Sequence, residues 1–317
     1  MKARTRRIEI LTKRSELLRQ IRNFFYERDF IEVQTPTLSR DTMVDQAIDP
    51  IPVRLTGVDS SFYLQTSPEF AMKRLLAEDF ERIFEITPAF RNAEMGQRHN
   101  PEFTMLEWYR VGDSYQAGMD LLSDFATCVL NSDTCLHVSY EELFQSHLAI
   151  HPHQVSADEL FAVCRKHGLI PPAGLDLDGL LQYLMAETIE SNLAMEQPVI
   201  IYDWPAGQSA LAQTRATAQG FAVSERFELY FRGVELANGY HELTDSTEQR
   251  RRLDTNNAIR KANGLSELPI ESHLLKKMEE GSLPESCGVA VGLDRLLMLQ
   301  LGLPNIADVL AFDIQNA

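Results

Sequence analysis

The chain has 317 residues, 44% hydrophobic and 24% charged, the balance of a globular enzyme long enough to bury a large core. A net charge of −16 opposes broad contact with a phosphate backbone. No apolar run reaches the length of a membrane span, and no hydrophobic segment follows the basic start as a secretory signal requires. The four cysteines, Cys128, Cys135, Cys164 and Cys287, show no CxxC pairing, which argues against structural zinc and for a reducing, cytoplasmic setting.

The first fourteen residues depart from the acidic whole. Lys2, Arg4, Arg6, Arg7, Lys13 and Arg14 stand against Glu9, a local charge of +5 that leaves about −21 for the rest. This arm reads either as a contact for an acidic partner or as a solvated, frayed terminus. Leu17, Leu18, Ile21, Phe24 and Phe25 then predict a helix over 14–30. An extended run, FIEVQTP, ends at Pro36, and Phe62 to Leu64 predict a strand. In TSPEFAMKRLLA a helix opens, with Thr66 or Ser67 as cap and Pro68 in the first turn. Two strand-like runs follow, flanking a loop that holds Arg91, Arg98 and His99. The second run carries Phe103, Glu107 and Tyr109 at one parity, and therefore on one face. A ring, a carboxylate and a phenol beside an arginine describe a pocket for something flat and anionic next to something cationic. A nucleotide and an amine-bearing substrate meet that description.

Helices are predicted over 113–130 and 139–147. Ser156 and Glu159 form a capping box that opens two amphipathic helices separated by Gly168 to Gly174. The stretch 151–196 reads as a helical insertion within a single domain. Val199 to Tyr202 resume the sheet, and Phe227 to Phe231, the Arg232-Gly233 turn and Val234 onward predict a hairpin. Val289 to Val291 form a last buried strand, with Gly292 between it and a helix starting near Asp294. Hairpin-linked strands with helices around them predict an α+β fold, a mostly antiparallel β-sheet flanked by helices. Arg91 at a strand end, Arg295 in the first turn of a helix, Phe103 and Gly292 look like parts of one nucleotide site. Arginine matches phosphate, an aromatic ring stacks a base, and a helix N-terminus favours anions.

At these residues the sequence becomes recognisable. The Pro36 segment, the FRNxE-like strand-loop-strand and GVAVGLDRL resemble motifs 1, 2 and 3 of the class II aminoacyl-tRNA synthetases, over nearly the whole chain. RHNPEFTMLEWY and ELANGYHEL resemble the lysyl subgroup. That subgroup carries an N-terminal oligonucleotide-binding domain ahead of motif 1, whereas motif 1 here begins within the first thirty residues. A free-standing core of this kind is similar to the ligases that activate (R)-β-lysine and attach it to a lysine of elongation factor P. The resemblance implies an AMP-forming activation of (R)-β-lysine or lysine with ATP and magnesium, then transfer to the ε-amine of that lysine. Acylation of tRNA is the alternative, opposed by the acidic surface. An asparagine synthetase of this fold is opposed by the lysyl-type strings, and a silent paralogue by the retained arginines and glutamates.

The resemblance also assigns residues. Glu228 and Glu235, which by themselves could be two solvated strand carboxylates, match the magnesium ligands. Ser67, Pro68, Glu69, Glu107, Tyr109, Asn238, Tyr240 and Glu242 match the amino-acid pocket. Arg91, Asn92, Ala93, Arg98, His99, Asn100, Phe103, Glu235, Leu236, Gly292 and Arg295 match the ATP site, with Arg91 and Arg295 catalytic. Asn238, Tyr240 and Glu242 share a parity that Glu235 does not, so a bulge or twist is required, for which Asn238-Gly239 is the expected place. Ala290 stands where lysyl enzymes show glycine: a neutral swap, or a methyl that reshapes the pocket. Ala93 replaces the motif 2 glutamate near adenine, for which Glu94 can substitute by a shift of the loop. Asp294 reads as a cap or structural residue. Motif 1 implies a homodimer through the helix around 15–29 and the segment to Pro36; the alternative is a helix packed on its own sheet.

Overall fold

The computed structural model describes residues 2–92 and 94–317, with side chains from Thr5 onward. Its contacts divide into two compact units: 1–113 with 243–317, and 114–242. The first unit begins with α1 (Lys2–Tyr26), β1 (Ile31–Glu32), β2 (Leu38–Ser39), β3 (Pro52–Val53) and β4 (Phe62–Leu64). It continues through α2 (Glu69–Leu76), β5 (Arg82–Phe90) and β6 (Glu102–Val111). The second unit holds α3 (Tyr115–Leu130), β7 (Leu136–Ser139), α4 (Tyr140–Leu148), α5 (Ala157–Lys166) and α6 (Leu177–Leu184). It ends with β8 (Val199–Pro205), β9 (Thr214–Ala216), β10 (Ala222–Phe231) and β11 (Val234–His241). The chain then returns to the first unit with α7 (Ser246–Ala262), α8 (His273–Glu279), β12 (Ser286–Gly292) and α9 (Leu293–Gln300). Among the described residues no helix is long and apolar enough to cross a membrane.

In the first unit β5, β6 and β12 are antiparallel neighbours and β1 joins β5 in parallel. Alternation divides the sheet chemically. Phe84 and Trp108 face each other across β5 and β6, and Phe25 of α1 covers both at ring distances of 4.7 and 5.1 Å. The opposite face carries the pair Glu85 and Glu107. So α1 seals one side and leaves the other for chemistry. It is also longer than its apolar pattern: the basic arm is helical from Lys2. Arg14, at the start of the predicted span, reaches Asp294 of α9 at 2.5 Å while Asp294 also accepts the Thr104 N–H at 2.7 Å. The side chains of Lys2 and Arg4 lie outside the described residues.

The second unit pairs β11 with β10 and β10 with β8, all antiparallel, with β9 on β10 and β7 parallel to β8. The capping box at Ser156 and Glu159 is present at the start of α5. Leu160, Cys164, Leu180, Leu181 and Leu184 of α5 and α6 share one core with Tyr140, Phe144, Ile201 and Trp204. The mostly antiparallel α+β architecture is the expected one.

Candidate active site

Arg91 follows β5, where its N–H donates to the Pro101 carbonyl at 2.9 Å and closes the loop between the strands. Its guanidinium lies over the Phe103 ring, 5.1 Å from the centroid, and 3.6 Å from the Glu94 carboxylate. Its Nε is buried without a hydrogen-bond partner. A tight turn made by reciprocal backbone bonds between Gly96 and His99 presents Arg98 and His99. Gly292 is the N-cap of α9, which puts Arg295 in the first turn. Arg295 donates to the Arg98 carbonyl at 3.3 Å, and its Nη2 lies 2.6 Å from His99 Nε2. Because arginine only donates, that ring nitrogen is the acceptor. Arg91 with Phe103, and Arg295 with His99, are thus brought together in pairs.

Two residues assigned to ATP have other employment. Asn92 donates its side-chain amide to Asp49 at 2.9 Å, and Asp49 in turn takes a 2.7 Å bond from the wholly buried Arg260. Asn100 donates to the Glu102 carbonyl at 2.6 Å and accepts the Ile314 N–H at 3.1 Å, which fastens the loop to the C-terminal segment. Ala93 lies outside the described residues.

The acidic wall of the first unit is built on α2 and β6. Pro68 has no N–H and occupies the N-cap itself, so the cap moves back: Ser67 Oγ accepts the Glu69 N–H at 3.0 Å. The Ser67 hydroxyl also donates to Glu107, and Tyr109 donates to the other Glu107 oxygen at 3.1 Å. The shared parity of Glu107 and Tyr109 therefore produces a contact. Burial, then the charge of Glu69, pushes the Glu107 carboxyl up to about 8, against the two hydroxyls and Lys73. Ala290 is the register partner of Glu107 on β12 and lies beside it on the same face. A residue the sequence reading passed over completes the wall. Lys73 pairs with Glu69 at 2.6 Å, with both side chains buried.

The hairpin belongs to the second unit. Asn238 sits opposite Glu228, and Tyr240 opposite Arg226, so these four share a face; Asn238 donates to the Tyr240 hydroxyl at 3.0 Å. The bulge that Glu235 requires exists, but not at Asn238-Gly239. The register shifts where Leu229 pairs Ala237 and Tyr230 pairs Glu235, leaving Leu236 as the extra, buried residue. Glu235 thereby turns toward Glu228. Leu236 supplies the irregularity because a hairpin closed by the left-handed Arg232-Gly233 turn fixes pairing from the turn outward. Glu242 lies just beyond β11, buried and bridged to Ala212.

Glu228 is enclosed by donors: the Arg226 guanidinium on one oxygen and the Tyr230 hydroxyl, 2.9 Å away, on the other. Burial raises its carboxyl to about 7; Arg226 opposes the rise and Glu235 adds to it. Arg226 also donates to the Gln208 carbonyl at 2.8 Å and lies 4.7 Å from the Trp204 ring centroid. Among the described residues no group of three or more His, Cys, Asp or Glu forms a cage for a metal. Two adjacent carboxylates suit magnesium, which takes one or two of them and completes its shell with phosphate oxygens and water.

The profile of the tRNA synthetases class II (D, K and N) matches residues 1–316. The chain belongs to this family. Within it, the chain is 42% identical over 313 residues to the elongation factor P–(R)-β-lysine ligase of Enterobacter sp. strain 638, covering 97% of this chain and 95% of that protein. The identity and both shares are the same for the ligases of that name from Salmonella arizonae and Salmonella gallinarum. Lys73 and Arg226 lie outside the residues to which the resemblance assigns a role. Both carried a signal in the sequence: Lys73 is four residues after Glu69 on a helix, and Arg226 shares strand parity with Glu228.

Proposed function

We propose that the protein activates (R)-β-lysine or lysine with ATP and transfers the acyl group to the ε-amine of a lysine on elongation factor P. The relatives that carry this name, matched over almost their full length, support the reading. The observation that carries it is the acidic wall of Ser67, Glu69, Glu107 and Tyr109, built to receive a cationic side of a substrate. In the first step a substrate carboxylate oxygen attacks the α-phosphorus of ATP and pyrophosphate leaves. Arg91 and Arg295 neutralise charge on the phosphates, Phe103 stacks the adenine, and His99 orients Arg295. Glu228 and Glu235 would hold magnesium, which supplies charge neutralisation on the phosphate oxygens. Glu107 receives a substrate ammonium, and Asn238, Tyr240 and Glu242 are assigned to the rest of the amino acid. In the second step the acceptor amine attacks the acyl carbon, AMP leaves and an amide forms.

The same reading makes 151–196 an insertion in one catalytic domain, the enzyme a cytoplasmic homodimer through α1, and tRNA a poor acceptor. The test of the first step is ATP–pyrophosphate exchange with each amino acid. Exchange with (R)-β-lysine or lysine, abolished in Arg91→Ala, is the expected result; no exchange with either would overturn the assignment.

A further inference from the structure

The acidic wall of the first unit contains its own ammonium group. Lys73 stands one helical turn after Glu69, its Nζ 2.6 Å from Glu69 Oε1, with side chains only 3% and 7% exposed. Its Nζ is also 6.0 Å from the centre of the Tyr109 ring. A lysine seldom sits at this depth unless its charge is matched. Glu69 supplies that match, and it is the residue that the family resemblance hands to the substrate. One of its two oxygens is held by an amine of this chain before any substrate arrives.

We propose that Lys73 is a specificity-determining positioning residue: it holds Glu69 through one oxygen and cancels one charge of the wall, so that the wall accepts a single substrate ammonium, on Glu107. This rests on reading Ser67, Glu69, Glu107 and Tyr109 as part of the amino-acid pocket. The charge count follows from the groups facing Glu107. Glu69 and Lys73 lie on α2, Tyr109 is on the same strand, and Glu85 is its partner across β5. Glu85 accepts the Thr35 N–H at 3.0 Å, and burial raises its carboxyl. Lys73 sits against Glu69 and so offsets the charge of one of the two carboxylates, Glu69 and Glu107, that line the wall beside α2. Without Lys73 the two carboxylates would face each other unbalanced, and Glu107 would hold its proton to higher pH, since a nearby cation favours the ionised form.

The test is lysine binding by titration calorimetry, without ATP, on the full chain across pH 6 to 9. Wild type and Lys73→Arg are expected to gain affinity as pH rises and to level off near a common midpoint. Lys73→Met is expected to bind lysine about ninefold more weakly at pH 7, with the midpoint moved alkaline by about one unit. Should Lys73→Met fail to fold, Lys73→Gln is read in the same assay. Wild-type affinity and midpoint retained in a folded neutral variant would overturn the role of Lys73 and leave the pocket standing. No lysine binding by wild type would overturn the pocket reading and the role of Lys73 with it.

Discussion

Lysine affinity should depend steeply on pH because of Glu107. In the empty wall its carboxyl titrates near 8, chiefly from burial, whereas an ammonium beside it favours the carboxylate. Binding therefore expels a proton at any pH below that value, and affinity rises with pH until about 8. The protonated fraction weakens a ligand that needs the carboxylate by about 100-fold at pH 6 and about twofold at pH 8, so affinity should improve about fifty-fold over that interval. Titration calorimetry in buffers of different ionisation enthalpy measures both quantities. At pH 7 release of about 0.9 proton per lysine is expected. Glu107→Gln should bind weakly and show neither the pH dependence nor the release. Affinity that changes less than about threefold between pH 6 and 8, with no proton released, would refute the assignment of Glu107.

Other perturbations separate the remaining parts. Glu228→Gln should raise the magnesium needed for half-maximal pyrophosphate exchange and lower the maximal rate by about a hundredfold, read from a magnesium titration. An unchanged magnesium requirement would remove Glu228 from the metal. Asp294→Ala removes the ion pair to Arg14, which keeps only the Thr104 hydroxyl, and leaves the Thr104 N–H without its acceptor in a partly buried corner, at a cost of about 2–3 kcal/mol in urea unfolding. Ala290→Gly removes the methyl beside Glu107 and should move the ratio of kcat/KM for (R)-β-lysine over lysine by about 1–3 kcal/mol. A ratio that stays put would make Ala290 a neutral swap.

Local features were readable and distant ones were not. The Arg232-Gly233 turn, the capping box at Ser156 and the paired faces of β5 and β6 follow from short-range chemistry, and each is found. The need for a bulge was also readable, from the parity of Glu235 against Asn238. Its place was not, because glycine marks where a strand bends easily while pairing from the turn decides where it must. Arg14 meets Asp294 across 280 residues, and no local pattern announces such a pair. Resemblance had its own blind spot. It handed Asn92 and Asn100 to ATP, although Asp49 and the C-terminal backbone now hold their amides. It omitted Lys73 and Arg226, the two basic side chains paired with the buried carboxylates Glu69 and Glu228, because the resemblance assigns a role to neither.

The identity of the acceptor is the central claim, and one labelling experiment tests it. Labelled (R)-β-lysine and labelled lysine are each incubated with the protein, ATP and magnesium, with elongation factor P in one reaction and lysine tRNA in the other. Label on elongation factor P, stronger with (R)-β-lysine and lost when its acceptor lysine is replaced by arginine, is the predicted result. Label on tRNA with none on the protein factor would contradict the account and make this chain a minimal tRNA-charging enzyme.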